Sequence, residues 1–251
     1  MLSEIKGTFH ARYGLAYPFI ILSVPDFEAD TGHIYKERFV VAAQHAGLEL
    51  FMTVTLASRS ALGFYGIGDC YEEEPGYEQA ADSCPPPEER IDVVLSVSYS
   101  DVSLGVTLLA RWMGGGLWGN FWPQRLSENL NLGKDSLLRE KNPEKYWEDV
   151  KRVIEDSVRK GESVDQVIFL GFEGGDAEEE LQRIIRVVME KHKSEKELGL
   201  VENYAENGGE SLFAVARGAA MVARRGMVDG FDACLMPDRC EKDEQVVKSE
   251  L

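Results

Sequence analysis

Three glycines, Gly171, Gly174 and Gly175, lie between an apolar run and a segment with helical periodicity. Glycine leaves the backbone bare, so N–H groups in such a turn can approach an anion closely. The N-terminus of the following helix would add the positive end of its dipole, which favours phosphate. The turn is therefore a candidate phosphate site. The alternative is that these glycines only let the chain reverse from strand to helix.

Other reactive residue types do not form a recognisable site. The chain has no Gly-x-Ser-x-Gly elbow, no His-Glu-x-x-His sequence and no complete P-loop. The four histidines lie far apart, at positions 10, 33, 45 and 192. The four cysteines, at positions 70, 84, 234 and 240, match no zinc spacing and are too few for a disulfide scaffold. We therefore predict no catalytic residue, no metal site and reduced thiols.

The charge of the chain argues against two classes of partner. Its 251 residues include 44 acidic and 27 basic ones, for a net charge of −17 at pH 7. An acidic field repels phosphate backbones and anionic lipid headgroups, so we predict neither nucleic-acid binding nor membrane association. The best apolar run, 15–24, is half the length of a membrane-spanning helix, and no segment has the layout of a signal peptide. We therefore expect a cytoplasmic protein.

The elements that must position the glycine turn alternate between helix and strand, which predicts an α/β layered fold. Strands are predicted at 17–24, 48–55, 91–98, 102–110 and 164–170. Helices are predicted at 2–13, 31–46, 58–65, 142–161, 176–188 and 210–225. Asn142 and Pro143 have the residue types of an N-cap and a first helical position. In the helix at 31–46, we expect Ile34, Val41 and His45 to form the inner face.

Two segments do not follow this alternation. Residues 68–90 are acidic and contain the run Pro85, Pro86 and Pro87, which indicates a surface loop. It is either a tolerated insertion or a docking site for a basic partner. Residues 112–139 mix glycines, turn-forming residues and three tryptophans and match neither periodicity. The aromatic residues there either fill a small core or form a peptide groove.

Four stretches, in order, resemble the second half of the ATPase domain of the seventy-kilodalton heat-shock chaperones, in the actin and sugar-kinase superfamily. The first is MLSEIKGTFHARYG with FIILSVPDF, and the second is FVVAAQHAGLELFMTVTLASRSALGFYGI. The third is DVVLSVSYSDVSLGVTLL, and the fourth is VDQVIFLGFEGG with SLFAVARGAAMVARRG. The resemblance implies a ribonuclease-H-like, actin-like layered fold with an incomplete first lobe and a reduced second lobe.

The resemblance also divides the chain. Residues 1–67 correspond to a partial first lobe made of a helix, two strands and a crossing helix. After the acidic loop at 68–90, residues 91–226 correspond to the second lobe, with an insert at 112–161 that is shorter than the family's helical subdomain. Residues 227–251 form a polar C-terminal tail. The family's first phosphate loop has no counterpart, because the chain begins after it.

The nucleotide site that the resemblance implies is degenerate. Its positions are Ser98, Tyr99, Ser100 and Asp101 in the second phosphate loop, and Gly171, Phe172, Gly174 and Gly175 in the adenosine turn. Family glycines are replaced in both loops, and Tyr99 would place a ring in the phosphate space. The family's two acidic residues fall at Ser96 and near Ala57. Without them, positioned Mg²⁺ and phosphoryl transfer are lost.

These departures predict a non-catalytic, chaperone-ATPase-like protein that acts by binding another protein and requires no cofactor. The alternative is an ATP-binding lobe, with Mg²⁺ and ATP as ligands, of a longer or two-part ATPase. In both cases the expected partner is another chain or the missing N-terminal lobe. The apolar runs at 17–24 and 48–55 would then form an open sheet edge, so we expect the chain to dimerise, aggregate or recruit strands from a partner.

Overall fold

The computed structural model describes residues 2–14, 19–26, 29–50, 55–67, 91–111, 121–171, 174–192, 199–200 and 210–228. The helices are α1 (Leu2–Tyr13), α2 (Ala29–His45), α3 (Ala57–Phe64), α4 (Lys134–Arg139), α5 (Pro143–Ser157), α6 (Asp176–Met189) and α7 (Glu210–Val228). The strands are β1 (Phe19–Ile20), β2 (Ser23–Val24), β3 (Glu49–Leu50), β4 (Thr55–Leu56), β5 (Val93–Tyr99), β6 (Leu104–Arg111), β7 (Phe121–Asn129), β8 (Gln166–Leu170) and β9 (Gly199–Leu200). The acidic loop at 68–90 and the tail beyond Val228 lie outside the described residues.

A five-stranded mixed sheet with the order β7-β6-β5-β8-β9 forms the centre of the molecule. Strands β5, β6 and β7 are an antiparallel meander, and β8 and β9 run parallel to β5 on its other side. Helix α5 lies in the crossover between the meander and β8, as parallel neighbours require. The prediction of an α/β fold is therefore confirmed at the level of a mixed sheet with helices.

Each face of this sheet is covered by helices. Alternate β-strand side chains point to opposite faces, so Leu95 and Val97 pack on the α5 and α6 side, and Val94 packs on the α3 side. Buried residues of α5 and α6 complete the larger cluster, which includes Val150, Ile154, Leu181, Ile185 and Val188. Ala61 and Leu62 of α3 and Ala214 of α7 belong to the second cluster. Helix α3, which was assigned to a partial first lobe, therefore shares the core of the main sheet.

Helix α5 begins as the sequence predicts. The Asn142 side chain accepts a hydrogen bond from the Lys145 N–H at 3.3 Å, and Pro143 occupies the first helical position. Tyr146, Val150 and Ile154 form a buried stripe at helical spacing.

Helices α3 and α7 approach each other at Gly218. A Cβ atom at this position would overlap the carbonyl oxygen of Ser60. The absence of a side chain therefore sets how closely the two backbones approach.

The N-terminal strands form two short parallel pairs, β1 with β3 and β2 with β4. The runs at 17–24 and 48–55 are thus neighbours, as predicted, and the association expected of their edge stays a prediction.

The predicted inner face of α2 is wrong: Val41 is 50% exposed and His45 is exposed, whereas Ala43 is fully buried. The side chain of Ile34 lies outside the described residues. Helix α1 contacts the turn that follows α2: Lys6 Nζ donates to the carbonyl oxygen of Gly47 at 2.7 Å.

The unassigned segment at 112–139 contains an edge strand and a short helix. Strand β7 pairs with β6 through an irregularity between Leu108 and Leu109, and α4 follows it. Residues 112–120 lie outside the described residues. Phe121 is fully buried and Trp122 is 47% exposed, so the described aromatic residues of this segment divide between core and surface.

Candidate functional site

The two turns implied by the resemblance meet at one edge of the central sheet. Ser98 pairs in parallel register with Leu170, so β5 and β8 end side by side. The hairpin at 100–103 follows β5, and the glycine turn follows β8. Ser98 itself lies in β5, where its Oγ donates to the Gly105 carbonyl oxygen at 3.4 Å. The carboxyl ends of parallel strands are a common place for ligand sites, so this edge is the candidate site.

The backbone N–H groups of the hairpin have partners within the hairpin. Ser100 N–H donates to the Ser103 carbonyl oxygen at 2.9 Å. Ser100 Oγ accepts from the N–H groups of Val102, at 3.3 Å, and of Ser103, at 3.0 Å. A phosphate cradle needs such groups to point at the ligand. Three of them are already used here by the chain itself.

The carbonyl groups of the same hairpin hold the start of α4. Lys134 N–H donates to the Ser100 oxygen at 3.0 Å, and Asp135 N–H donates to the Asp101 oxygen at 2.9 Å. A Cβ atom on Gly133 would overlap the backbone of residues 101–103. The hairpin and α4 are therefore in backbone contact, and only glycine fits between them.

Tyr99 does not occupy the phosphate space, so that expectation is wrong. Its side chain is 1% exposed and lies in the core beside α5. The hydroxyl groups of Tyr99 and Tyr146 are 3.1 Å apart, and Tyr146 OH donates to the Leu132 or the Gly133 carbonyl oxygen. Burial raises the pKa of both phenols, so both remain protonated at neutral pH. The position of the ring follows from the alternation of β5, whose odd-numbered residues face this core.

The glycine turn adopts backbone conformations that favour glycine. Gly171, Gly174 and Gly175 have φ values of 75°, 93° and 136°. A Cβ atom at any of the three would meet nothing within 4 Å, so conformation, and not close approach of another segment, requires glycine there. Phe172 lies outside the described residues.

A buried ion pair connects the start of α4, which contacts the hairpin, to the glycine turn. Gly174 N–H donates to Glu178 Oε2 at 2.6 Å, and Lys134 Nζ lies 2.8 Å from Glu178 Oε1. The Glu178 side chain is 2% exposed, although it belongs to the first turn of α6. Lys134 Nζ also lies 5.9 Å from the centre of the Tyr99 ring. The N-terminus of α6, where an anionic ligand would bind, thus already has a carboxylate of the chain next to it.

A second polar cluster lies on the opposite face of the sheet. Thr107 Oγ1 donates to Asp26 Oδ2 at 2.7 Å, and Ser58 N–H donates to Asp26 Oδ1 at 3.2 Å. Ser96, to which the resemblance assigns one of the two acidic positions, is 2% exposed and pairs with Thr107 across the strands. Ala57, near the other position that the resemblance assigns, begins α3. Burial raises the pKa of Asp26, although its hydrogen bonds to Thr107 and Ser58 act in the opposite direction.

Neither Glu178 nor Asp26 is among the candidate residues that the sequence indicated. Glu178 stands three residues after the N-cap Gly175, which is the position from which a glutamate reaches back to the start of a helix. That spacing could have identified it. The signal for Asp26 was weaker: an acidic residue that follows the predicted strand at 17–24 after one proline. Two side-chain atoms of α3, Ser58 Oγ and Arg59 Nε, are buried without a hydrogen-bond partner among the described residues.

Within the described ranges, no three His, Cys, Asp or Glu side chains are grouped so that they could hold a metal ion. None of the helices described is long and apolar enough to cross a membrane. Neither a scan against protein-family models nor a search of curated proteins found a match to this chain.

Proposed function

We propose that the chain is a degenerate, non-catalytic relative of the chaperone and actin-like ATPase domains, with a ribonuclease-H-like second lobe, and that it acts by binding protein. The strand order supports the fold proposal. In the order β7-β6-β5-β8-β9, an antiparallel meander is extended beyond β5 by parallel strands, and helices cover both faces, as a layered α/β lobe requires.

The loss of ATP chemistry is supported above all by the Lys134–Glu178 ion pair. Nucleotide phosphates would have to enter between the hairpin and the glycine turn, where Glu178 already accepts from Gly174 N–H and pairs with Lys134. A phosphate would meet a like charge there and would have to break a buried ion pair, which is strongly unfavourable. The hairpin would provide few hydrogen bonds to a phosphate, because its N–H groups already donate within the hairpin.

Binding to protein is supported by apolar surface on the N-terminal helix. Ile5 and Phe9 lie one helical turn apart on α1 and are 53% and 41% exposed. Side chains at this spacing share a helix face. The proposed partner on this side is either another protein chain or the N-terminal lobe of which, by the resemblance, residues 1–67 are only a part.

A titration with Mg-ATP tests the proposal. A ligand at a hundred times its dissociation constant stabilises a protein by about 2.7 kcal/mol, which thermal unfolding detects readily. We expect no saturable shift in the melting temperature of the full chain and no phosphate release. Mg-ADP, inorganic phosphate and MgCl₂ are the matched controls. A saturable shift with Mg-ATP that phosphate does not reproduce would overturn the loss of nucleotide binding.

The second candidate is an ATP-binding lobe of a longer or two-part ATPase. It is favoured by the register of β5 and β8, which brings the hairpin and the three glycines to one sheet edge. Its outcome in the same titration differs, because ATP would bind while hydrolysis would require the other lobe. Nucleotide binding without phosphate release would therefore support this candidate.

A further inference from the structure

A polar cavity lies between the turn after β7, helix α4 and helix α5. Its volume is about 390 Å³, which is within the range of about 300–1,000 Å³ that is typical of ligand pockets. None of the described residues that line it belongs to the hairpin at 100–103 or to the glycine turn. The proposed function therefore leaves this cavity unexplained.

The buried part of the lining, which we call the floor, is apolar and is held in place by the core. Leu132 and Tyr146 are 5% and 3% exposed, and both belong to the larger core cluster. The Tyr146 hydroxyl donates to the carbonyl oxygen of Leu132 or Gly133, so the ring of Tyr146 is the part that a ligand would contact. Val153 of α5 packs against the same cluster and also lines the cavity. The floor is therefore ordered before a ligand binds, which favours affinity.

The polar residues of the lining, which we call the rim, provide both hydrogen-bond donors and acceptors. Asn129 Oδ1 accepts from Asn131 N–H at 2.9 Å, and Glu140 Oε1 accepts from Asn142 N–H at 3.1 Å. Four polar groups of the rim have no hydrogen-bond partner among the described residues: the side-chain amide nitrogen of Asn129, the side-chain amide of Asn131, the Ser136 hydroxyl and Glu140 Oε2. A ligand in the cavity could therefore both accept and donate hydrogen bonds.

The charges of the lining argue against an ionic ligand. Glu140 and Asp149 contribute two carboxylates, and the chain has a net charge of −17, so an anion would be repelled. Asp149 is paired with Arg152, which leaves Glu140 as the lining carboxylate without an ion pair to a described residue. Glu140 is exposed, and a single exposed carboxylate attracts a cation only weakly. A purely apolar ligand would bury the polar groups of the rim without partners, which is unfavourable.

Hydroxyl groups match this combination of floor and rim, because each hydroxyl both donates and accepts hydrogen bonds and carries no charge. We infer that the cavity is a binding site for a small neutral polyhydroxylated ligand, of the size of a monosaccharide. Its hydroxyl groups bond to Asn131, Ser136 and Glu140 on the rim, and its C–H groups lie on Leu132 and the Tyr146 ring. The inference goes beyond the proposed function and does not depend on it.

Saturation-transfer NMR on the full chain tests the site, with glucose, galactose, mannose and ribose as probes. We expect saturable binding of at least one of these neutral sugars. Asn131→Ala combined with Ser136→Ala removes two rim groups and should weaken that binding about tenfold, because two hydrogen bonds are lost. The matched control is Gln124→Ala, which removes an exposed amide of β7 that does not line the cavity and should bind like the wild type. No saturable binding of any probe, or equal binding by the rim variant and the control, would overturn the inference.

Charged sugars test whether the ligand is neutral. Glucosamine and glucuronate add a positive and a negative charge to glucose, and neither should bind more tightly than the neutral probes. Tighter binding of either one would show that the cavity recognises charge, and the neutral class of ligand would then be wrong. Circular dichroism monitors folding of the variants. If the double rim variant unfolds, Ser136→Phe, which places a ring in the cavity, takes its place and should abolish the binding.

Discussion

At the scale of single residues, Asp26 is an ionisable group in surroundings that disfavour its charged form. Burial raises the pKa of its carboxyl above the ordinary value of 3.8, so the folded state holds the proton more tightly than the unfolded chain does. The contribution of Asp26 to stability is therefore full at acidic pH, below the unfolded pKa. It is lost as the pH rises through the folded pKa.

We expect Asp26→Asn to remove this pH dependence. The amide is always neutral and can still accept from Thr107 Oγ1 or Ser58 N–H, which both donate to the wild-type carboxylate. The variant should match the wild type at acidic pH and exceed it in free energy of unfolding at neutral and alkaline pH. Urea unfolding across this range measures the effect. Asp101→Asn, at an exposed position, is the control and should leave the wild-type pH profile unchanged.

Among the residues of the candidate site, Glu178 is the one whose removal should reduce the stability of the fold most. Its carboxylate is buried and partnered by Lys134 and Gly174 N–H, so Glu178→Ala leaves both donors without their acceptor. We expect a loss of about 2 kcal/mol in the free energy of unfolding, reduced from the fully buried case because Lys134 retains some exposure. Glu180→Ala removes the exposed pair with Arg183 on the same helix and should cost much less, because solvent screens that pair. Equal losses would contradict the importance of the buried pair.

At the scale of secondary-structure elements, the close approach of α3 and α7 depends on Gly218. A methyl group there would overlap the Ser60 carbonyl oxygen, so Gly218→Ala must separate the two helices. We expect a loss of about 1–3 kcal/mol in the free energy of unfolding, as for other overpacked sites. Gly7→Ala on α1 is the matched control, because a Cβ atom there meets nothing within 4 Å. Higher helix propensity should make that control neutral or stabilising by up to about 1 kcal/mol.

The secondary-structure elements differ in how well the sequence predicted them. Helix α5 was predictable because its cap and stripe are local, formed by Asn142, Pro143 and the residues one and two turns on. Strand β7 was not, because Pro123 and alternating polar residues suit an edge strand and a loop equally well. The buried face of α2 depends on which neighbours cover it, and there Ala43 is buried in place of Val41. The candidate site divides in a similar way: the resemblance assigned the hairpin and the glycine turn to one site, whereas the Lys134–Glu178 pair joins residues 44 positions apart.

At the scale of the whole molecule, charge is distributed unevenly along the chain. Residues 68–90 contain eight acidic residues and one arginine, so they contribute −7 of the net −17. The residues on either side of this segment share one core, because Ile67 is buried in the cluster that contains Ala61 and Leu62 of α3, and Ile91 packs against that cluster. Surplus like charge destabilises a compact state by self-repulsion, and salt screens that repulsion.

We therefore expect that replacing residues 68–90 with a Gly-Ser linker will leave a cooperative fold whose stability depends less on salt. The segment has few large apolar residues and four of the nine prolines, so its removal should cost the core little. At low ionic strength the variant should melt no lower than the wild type, because it carries less self-repulsion, and the difference should shrink as NaCl is added. Thermal unfolding across a salt series measures both effects. A length-matched linker that keeps the acidic residues and replaces the prolines and tyrosines is the control: it should retain the wild-type salt dependence. A large fall in melting temperature for both linkers would show that Tyr71 or Tyr77 packs on the folded body.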